Sequence, residues 1–182
     1  MKLSKLFLFL AIVGTLFINA CKDDEKTPDP NSTNKTKSQL LIGSNWKLKS
    51  ATFNPPIVVQ FGTATITLNN LSEIPGVDSC QLDNLLMFNA DSTITLDNGK
   101  KKCVMSDPQI VKDGNWRFLN NETQIEITNS EYFKLISQGT NKVILDQVTI
   151  TATEMKGQTD YEFNDPTKPD PVTTKINFTF TK

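Results

Sequence analysis

The feature that most limits the fold of this chain is the spacing of its apolar residues after Gln39. Apolar and polar side chains alternate there with a period of two, as in Trp46-Lys47-Leu48, Trp116-Arg117-Phe118 and Ile125-Glu126-Ile127. Because successive side chains of a β-strand point to opposite faces, this alternation predicts strands with one buried face. No window longer than a few residues keeps the apolar stripe of a helix. The sequence therefore predicts an all-β domain.

Short turns separate most of these strands. Asn89-Ala90-Asp91-Ser92 and Asn98-Gly99 are typical of tight turns between antiparallel strands. Longer interruptions fall at Pro55-Pro56, which we expect to break the chain after the first strand, and at 71–83 and 164–171. Roughly eight to ten strands in up-and-down order predict a single antiparallel barrel that is closed or nearly closed, since closure removes exposed edges. A two-sheet sandwich is the alternative.

The composition argues against several classes of function. The chain has 19 basic and 20 acidic residues, a formal net charge of −1 and a single arginine, Arg117. Since arginine makes the bidentate contacts to bases and phosphates, we expect no nucleic-acid partner. The chain has no histidine, which removes the usual catalytic triads, the histidine-bearing zinc sites and the usual acid–base residue near neutral pH. We expect no enzymatic activity and no cofactor.

Residues 1–20 have the pattern of a signal peptide. Lys2 and Lys5 give a positively charged start, and no charged residue follows over 6–18. An apolar run of this length is short for a membrane span and typical of the central region of a secretion signal. The sequence therefore predicts an exported protein.

The residues after this run resemble a bacterial lipobox, the site at which a lipoprotein precursor is cleaved and lipidated. Ala20 is a small residue directly before Cys21, and Ile18 lies three positions before that cysteine. Asn19 departs from the residues favoured at its position. The resemblance implies that Cys21 becomes the lipidated first residue of a protein anchored in the outer membrane. Plain cleavage after Ala20, which leaves an unlipidated cysteine, is the alternative.

Residues 21–38 have the composition of a disordered tether. Proline is the only apolar residue from Lys22 to Ser38, so the segment cannot bury enough surface to offset the entropy of ordering it. Its charged start, Lys22-Asp23-Asp24-Glu25, resembles the export tag of surface-displayed lipoproteins of Bacteroidota-type bacteria. The alternative is that these charges only solvate the linker. We expect residues 39–182 to form the barrel domain.

Short motifs along this domain resemble the lipocalin-like domain of bacterial lipoproteins. The motifs are Leu41-Ile42-Gly43-Ser44-Asn45-Trp46-Lys47-Leu48, Cys80 followed by Asp83-Asn84 and by 86–93, Cys103, and Gly114-Asn115-Trp116-Arg117-Phe118. They cover most of residues 40–150, whereas 151–182 has no matching motif. The resemblance implies a calyx-like barrel able to hold a small apolar molecule, and it implies no catalytic residues.

Cys80 and Cys103 are the two cysteines that remain once Cys21 carries a lipid. In an exported chain such a pair is expected to form a disulfide. Two arrangements are open. Either the strands flanking 89–92 extend toward both cysteines with a bulge or a loose loop between them, or Asn98-Gly99 makes a tight turn that puts Cys103 on the following strand.

Carboxylates are the remaining candidates for chemistry. Four glutamates lie on or next to predicted strands: Glu126, Glu131, Glu154 and Glu162. Two carboxyls that faced one cavity could cleave a glycoside, but Glu126 alternates with inward isoleucines and is predicted to face solvent. Three aspartates near the end of the chain, Asp160, Asp165 and Asp170, lack the regular oxygen-donor loop of a calcium site. We assign no catalytic and no metal-binding residue.

Inward-facing apolar residues are the candidates for a ligand site. We expect Trp46 and Trp116, each shortly after a glycine, to lie at one end of the barrel with their rings inward, where each indole N–H needs a partner. The inward positions expected to line the other end are Phe88, Phe118, Ile127, Leu135, Leu145, Phe163 and Phe178. Of these, the predicted ligand contacts are Phe88, Phe118, Leu135 and Phe178. The 11 phenylalanines of the chain predict a mostly filled interior with a small ligand at the mouth.

Two functions fit these expectations. The first is a cup on the cell surface or on the periplasmic side of the outer membrane that holds a small lipophilic molecule. The second is a non-enzymatic accessory lipoprotein, with a filled barrel, that docks on a protein of a cell-envelope complex. An unfilled apolar cavity favours the first function, and a solid core with an exposed apolar patch favours the second.

Overall fold

A computed structural model describes residues 35–165 and 167–182 of the chain. The strands are β1 (Asn45–Phe61), β2 (Ala64–Asn70), β3 (Leu85–Phe88), β4 (Thr93–Asp97), β5 (Ile110–Leu119), β6 (Gln124–Thr128), β7 (Lys142–Ile150), β8 (Glu154–Phe163) and β9 (Val172–Thr181). The helices are α1 (Lys37–Leu41), α2 (Ser79–Leu82) and α3 (Lys134–Ser137), and Leu71–Glu73 form a 3₁₀ turn. The predicted signal peptide, Cys21 and the tether as far as residue 34 lie outside the described residues.

Eight of the strands close into an antiparallel barrel in the order β1-β3-β4-β5-β6-β7-β8-β9. The barrel closes where β9 pairs with β1, from Lys47 opposite Thr181 to Asn54 opposite Lys175. β2 is an additional strand that pairs with the second half of β1. The predicted all-β, up-and-down barrel is confirmed, and residues 151–182 complete it by supplying β8 and β9.

The break expected at Pro55-Pro56 is wrong, because β1 continues through both prolines. The pairing with β9 ends there instead. β9 lies on one edge of β1 as far as Asn54, while β2 lies on the other edge, at Thr52 opposite Asn70 and again from Ile57 opposite Leu68. Since proline has no N–H to donate to a ladder, it is suited to the place where the strand leaves the barrel.

The interior of the barrel follows from the alternation along its strands. On β6, Ile125 and Ile127 are buried while Glu126 lies on the outer face and pairs with Arg117 of β5, with 2.6 Å between Nε and Oε1. The largest fully buried side chains are Trp46, Phe88, Phe180, Leu41, Leu86, Ile94, Ile125, Ile127, Leu145, Met155 and Ile176. One contiguous apolar core therefore fills much of the barrel.

Helix α1 begins at Lys37, two residues before the predicted start of the domain at residue 39. Thr36 caps it: the Thr36 side chain accepts a hydrogen bond from the backbone N–H of Gln39 at 3.2 Å, and the Gln39 side chain accepts one from the N–H of Thr36 at 3.0 Å. Lys37 and Ser38, which the composition had placed in the tether, therefore belong to the folded domain. In the part of the chain that the structure describes, no helix is long and apolar enough to cross a membrane.

Helix α1 closes one end of the barrel. Leu41 is fully buried in the core. The Lys37 ammonium donates to the carbonyl oxygens of Glu122, in the β5–β6 turn, at 2.7 Å and of Val148, on β7, at 2.9 Å. The N–H of Gly43 donates to the carbonyl of Phe88 at the end of β3. These contacts fasten the helix to turns and strands on both sides of the opening, and we call this the closed end.

Candidate functional site: a cavity at the open end of the barrel

The opposite end of the barrel, here called the open end, contains a cavity of about 630 Å³. Barrel strands contribute Leu48 of β1, Leu96 of β4, residues 111–113 of β5 and Phe178 of β9 to its wall. The rest of the wall comes from three connections between strands, within 71–84, 98–108 and 131–136. Sites for small molecules typically have volumes of about 300–1,000 Å³. The cavity is therefore large enough for a small ligand.

The closed end, in contrast, is filled by aromatic side chains. The indole N–H of Trp46 donates to the carbonyl of Leu41 at 3.0 Å, and that of Trp116 donates to the carbonyl of Asn89 at 3.1 Å. Phe88 packs edge-on against Trp116, with 5.5 Å between ring centroids. Both tryptophans thus lie inward at one end with their N–H groups paired, as the sequence predicted.

The four predicted ligand contacts divide between the two ends. Phe178 and Leu135 line the cavity, whereas Phe88 and Phe118 do not. Phe118 is half-buried and packs edge-on against Trp116 at 5.4 Å. The expectation that Phe88 and Phe118 line the end away from the tryptophans is therefore wrong, because the turn after β3 brings Phe88 to the same end as Trp116.

Leu135 is not an inward strand residue, which corrects a further prediction. It lies on helix α3 at the rim of the cavity and is 46% exposed. The apolar residues that face inward here are Phe133 and Ile136, both buried, and their spacing of three is helical rather than alternating. Of the other expected inward positions, Ile127 and Leu145 are buried and Phe163 is half-buried.

Phe133 separates the cavity from the core. It comes from the β6–β7 connection rather than from a strand, yet it is only 2% exposed. Its ring centroid lies 6.3 Å from that of Phe178 and 6.5 Å from that of Phe180. The connection therefore inserts one aromatic side chain into the barrel, which forms the floor of the cavity.

The carboxylate of Asp113 holds this connection in place. Asp113 is 4% exposed and accepts hydrogen bonds from the Ser130 hydroxyl, from the Glu131 N–H at 3.0 Å and from the Tyr132 N–H at 3.2 Å. The Ser130 oxygen in turn accepts from the N–H of Phe133 at 3.2 Å. Burial raises the pKa of the Asp113 carboxyl above its ordinary value, although these hydrogen bonds oppose the rise.

A bulge in β5 turns Asp113 inward. The pairing of β4 with β5 shifts between Ile94, opposite Gly114, and Thr95, opposite Lys112, so Asp113 is the extra residue. Gly114 has a φ of +151°, and a Cβ there would lie 2.5 Å from the carbonyl oxygen of Thr128. Only glycine fits this position. The dipeptide Asp113-Gly114 is the sequence signal that could have revealed the anchor.

Two neutral polar side chains line the cavity without a partner in the described residues. Asn84, directly before β3, is 6% exposed, and its amide makes no side-chain hydrogen bond there. The Tyr132 hydroxyl also makes none, and its pKa is raised, mainly by burial and secondly by the negative charge of Asp113. The amide atoms of Asn84 and the hydroxyl of Tyr132 are nevertheless not sealed from solvent. In the described part of the chain, the side-chain atom that is both fully buried and unpartnered is Asp83 Oδ1. The cavity is the space that they face.

The predicted disulfide is confirmed. Cys80 and Cys103 are bonded, with 5.2 Å between their Cα atoms. Cys80 lies on α2 and Cys103 in the loop between β4 and β5, which corresponds to the loose-loop arrangement rather than to a tight turn at Asn98-Gly99 followed by a strand. The Asp83 carboxylate links the same two segments a second time, since it accepts a hydrogen bond from the backbone N–H of Lys100 at 3.0 Å. Two of the three connections around the cavity are thereby joined.

Among the residues that the structure describes, no group of three or more histidine, cysteine, aspartate or glutamate side chains is arranged to hold a metal ion. Comparisons of the chain with protein-family models, with curated proteins and with solved structures found no match.

Proposed function

We propose that this chain is an outer-membrane-anchored lipoprotein whose lipocalin-like barrel binds a small lipophilic molecule. The observation that carries the proposal is the cavity of about 630 Å³ at the open end of a barrel whose other end is filled. Leu48, Leu96 and Phe178 supply an apolar wall. Each CH₂ group of a ligand that leaves water for such a wall contributes about 0.8 kcal/mol before the costs of association.

The connections around the cavity are held in place before a ligand arrives. The Cys80–Cys103 disulfide joins two of them, and Asp113 fixes the third through three hydrogen bonds. A site that is already ordered loses less conformational entropy on binding. This preorganisation supports a binding role for the open end.

The proposed anchor would leave the cavity accessible. Residues 35 and 36 lead into α1 at the closed end, so a tether from a lipid on Cys21 would hold the barrel by that end. Replacing Cys21 by serine should abolish incorporation of labelled fatty acid and release the protein from outer-membrane fractions. Unchanged labelling of Cys21→Ser would refute the lipoprotein part of the proposal.

The alternative function is an accessory lipoprotein that docks on an envelope complex. The observation in its favour is the β1–β2 hairpin, where Val58 and Ile66 are 45% and 43% exposed. A filled barrel was part of that alternative, and the cavity supports ligand binding instead.

The test of ligand binding is a melting-temperature titration of a soluble chain, residues 22–182, with fatty acids, isoprenoids and haem. A ligand that binds only the folded state stabilises it by about 2.7 kcal/mol at a hundred times its dissociation constant. We expect one class to raise the melting temperature with saturation. Melting is a better signal than tryptophan fluorescence, because Trp46 and Trp116 lie at the closed end and do not line the cavity.

A matched pair of variants locates the site. Val111, a half-buried residue of β5, lines the cavity, so Val111→Phe should fill part of it and weaken binding. Val58→Phe makes the same change on the exposed hairpin and should leave binding unchanged. Flat responses of the unmodified chain to every class, or equal losses in both variants, would argue against binding in the cavity.

A further inference from the structure

Asn84 is the least expected residue of the cavity wall. Asn84 is only 6% exposed as a residue, and polar side chains at such positions normally have hydrogen-bond partners in the protein. The side chain of Asn84 has none among the described residues. It lines the cavity, and its amide atoms are not sealed from solvent, since the fully buried unpartnered side-chain atom of that part is Asp83 Oδ1. A leucine at this position would have extended the apolar wall formed by Leu48 and Leu96.

The charge around the cavity restricts what Asn84 could bind. Asp113 lines the cavity as a buried carboxylate, and it forms no ion pair within the described part of the chain. Two lysines, Lys112 on β5 and Lys134 at the rim, also line the cavity, but both are exposed, and Lys134 is paired with Glu131 at 2.9 Å. An anionic head group inside the cavity would therefore meet a negative charge without a compensating buried cation, which is unfavourable where the dielectric constant is low.

We propose that the ligand is an uncharged amphiphile, with an apolar tail against Leu48, Leu96 and Phe178 and a hydroxyl or amide head group hydrogen-bonded to Asn84. This inference rests on the proposed function and specifies its ligand class. An amide can both donate and accept, so Asn84 suits a head group that does the same. The Tyr132 hydroxyl is a second neutral group in the same cavity.

Four probes with the same eight-carbon chain test the head group: octane, 1-octanol, octanamide and octanoate. Each is titrated into the soluble chain 22–182 at pH 7.5, with affinity taken from native mass spectrometry and from the melting temperature. We expect 1-octanol and octanamide to bind about 3- to 10-fold tighter than octane, which is the range for one net hydrogen bond. Octanoate should bind more weakly than either.

Asn84→Leu removes the amide and keeps a similar volume. It should abolish the preference for 1-octanol and octanamide over octane, and it should not weaken the binding of octane. Asn84→Ala is the second variant, should the larger leucine disturb folding. Asn115→Leu, which replaces an exposed asparagine on β5, is the control and should alter none of the four affinities.

The outcomes separate this inference from the proposed function. If octane binds and Asn84→Leu does not change the head-group preference, or if octanoate binds as tightly as 1-octanol, the inference is wrong and the lipophilic cavity stands. Equal weakening of all four probes by Asn84→Leu would also overturn it, because Asn84 would then shape the cavity without recognising a head group. If none of the four probes binds the unmodified chain, both proposals are wrong.

Discussion

The two ends of this barrel are built from the same strands but differ in how their interior is used. At the closed end, α1 covers the opening, and Trp46 and Trp116 are buried with both indole N–H groups bonded to backbone carbonyls. At the open end, three connections surround a cavity, and Asn84 and Tyr132 face it without partners in the described chain. Filled volume and satisfied polar groups favour stability, whereas empty volume and unpaired polar groups are typical of a binding site.

The difference also concerns which parts of the chain build each end. At the closed end the filling side chains are strand residues whose inward direction is set by alternation, and Leu41 of α1 completes it. At the open end the wall and the floor come largely from connections, fixed by the Cys80–Cys103 disulfide and by Asp113. Loops on a rigid scaffold are where binding sites are commonly found.

The largest expected effect comes from truncating the same side chain type at each end. Leu86 is fully buried beside Trp46, whereas Leu48 is half-buried and lines the cavity. We expect Leu86→Ala to lower the free energy of unfolding by about 4 kcal/mol, since it opens a cavity in a packed region. Leu48→Ala should cost about 1 kcal/mol, because part of its surface is already uncovered. Urea unfolding measures both, and equal losses would contradict a packed closed end and an unfilled open end.

The disulfide should matter mainly for the open end. Replacing Cys80 and Cys103 together by serine removes a link across a sequence separation of 23 residues, which costs about 3 kcal/mol in the chain-entropy model. Hydrogen exchange should speed up most in 71–84 and 98–109. The α1 region is the internal control, and a comparable local increase there would show that the two ends are not independent.

The carboxylate of Asp113 gives the open end a dependence on pH. Its folded-state pKa is raised by burial, so between the ordinary aspartate pKa and this raised value the folded state binds more protons than the unfolded state. Stability contributed by this group is therefore fully present below the unfolded-state pKa and is lost as pH rises through the folded-state pKa. Asp113→Asn should cost about 2 kcal/mol through its altered hydrogen bonds to the 130–132 segment.

The direction of the Asp113 pKa shift is tested by measuring the unfolding free energies of the unmodified chain and of Asp113→Asn between pH 4 and pH 7. The difference in unfolding free energy between the two should narrow as pH rises. A difference that widens would mean that the hydrogen bonds from Ser130, Glu131 and Tyr132 outweigh burial and lower the pKa instead.

The smallest expected effects have opposite signs at the two ends. Thr36→Ala removes the cap of α1 and should destabilise the protein by about 1 kcal/mol. Asn84→Leu replaces an amide that has no partner in the described residues by an apolar side chain and should stabilise the ligand-free protein by about 1 kcal/mol. Thermal unfolding of both variants without ligand measures them. If Asn84→Leu destabilises, then Asn84 has a structural partner and is not free to bind a ligand.

Much of the barrel could be predicted from the sequence because its determinants are local. Alternation at Ile125-Glu126-Ile127 fixes which side chains point inward, and that pattern does not depend on distant residues. The pairing of β1 was not local. Nothing in Pro55-Pro56 indicates that β1 continues beyond its pairing with β9 and stays paired with β2, because that depends on where Lys175 and Leu68 lie in space.

The candidate site was less predictable, since its walls are connections. Leu135 was assigned to a strand because short apolar runs do not distinguish a helical turn from a strand, and the inward residue proved to be Phe133. Asn84 gave no signal, because a single asparagine before a strand is commonly a turn residue. Asp113-Gly114 was the readable feature, since a glycine inside a strand often marks a bulge.

The most direct test of the difference between the two ends is a crystal structure of the soluble chain 22–182 under xenon pressure. Xenon occupies empty apolar cavities whatever the chemistry of the natural ligand. We predict a xenon site among Leu48, Leu96 and Phe178 at the open end, and none between Trp46 and Trp116 at the closed end. Xenon at the closed end, or an open end in which side chains leave no room for it, would contradict the assignment of the cavity as the binding site.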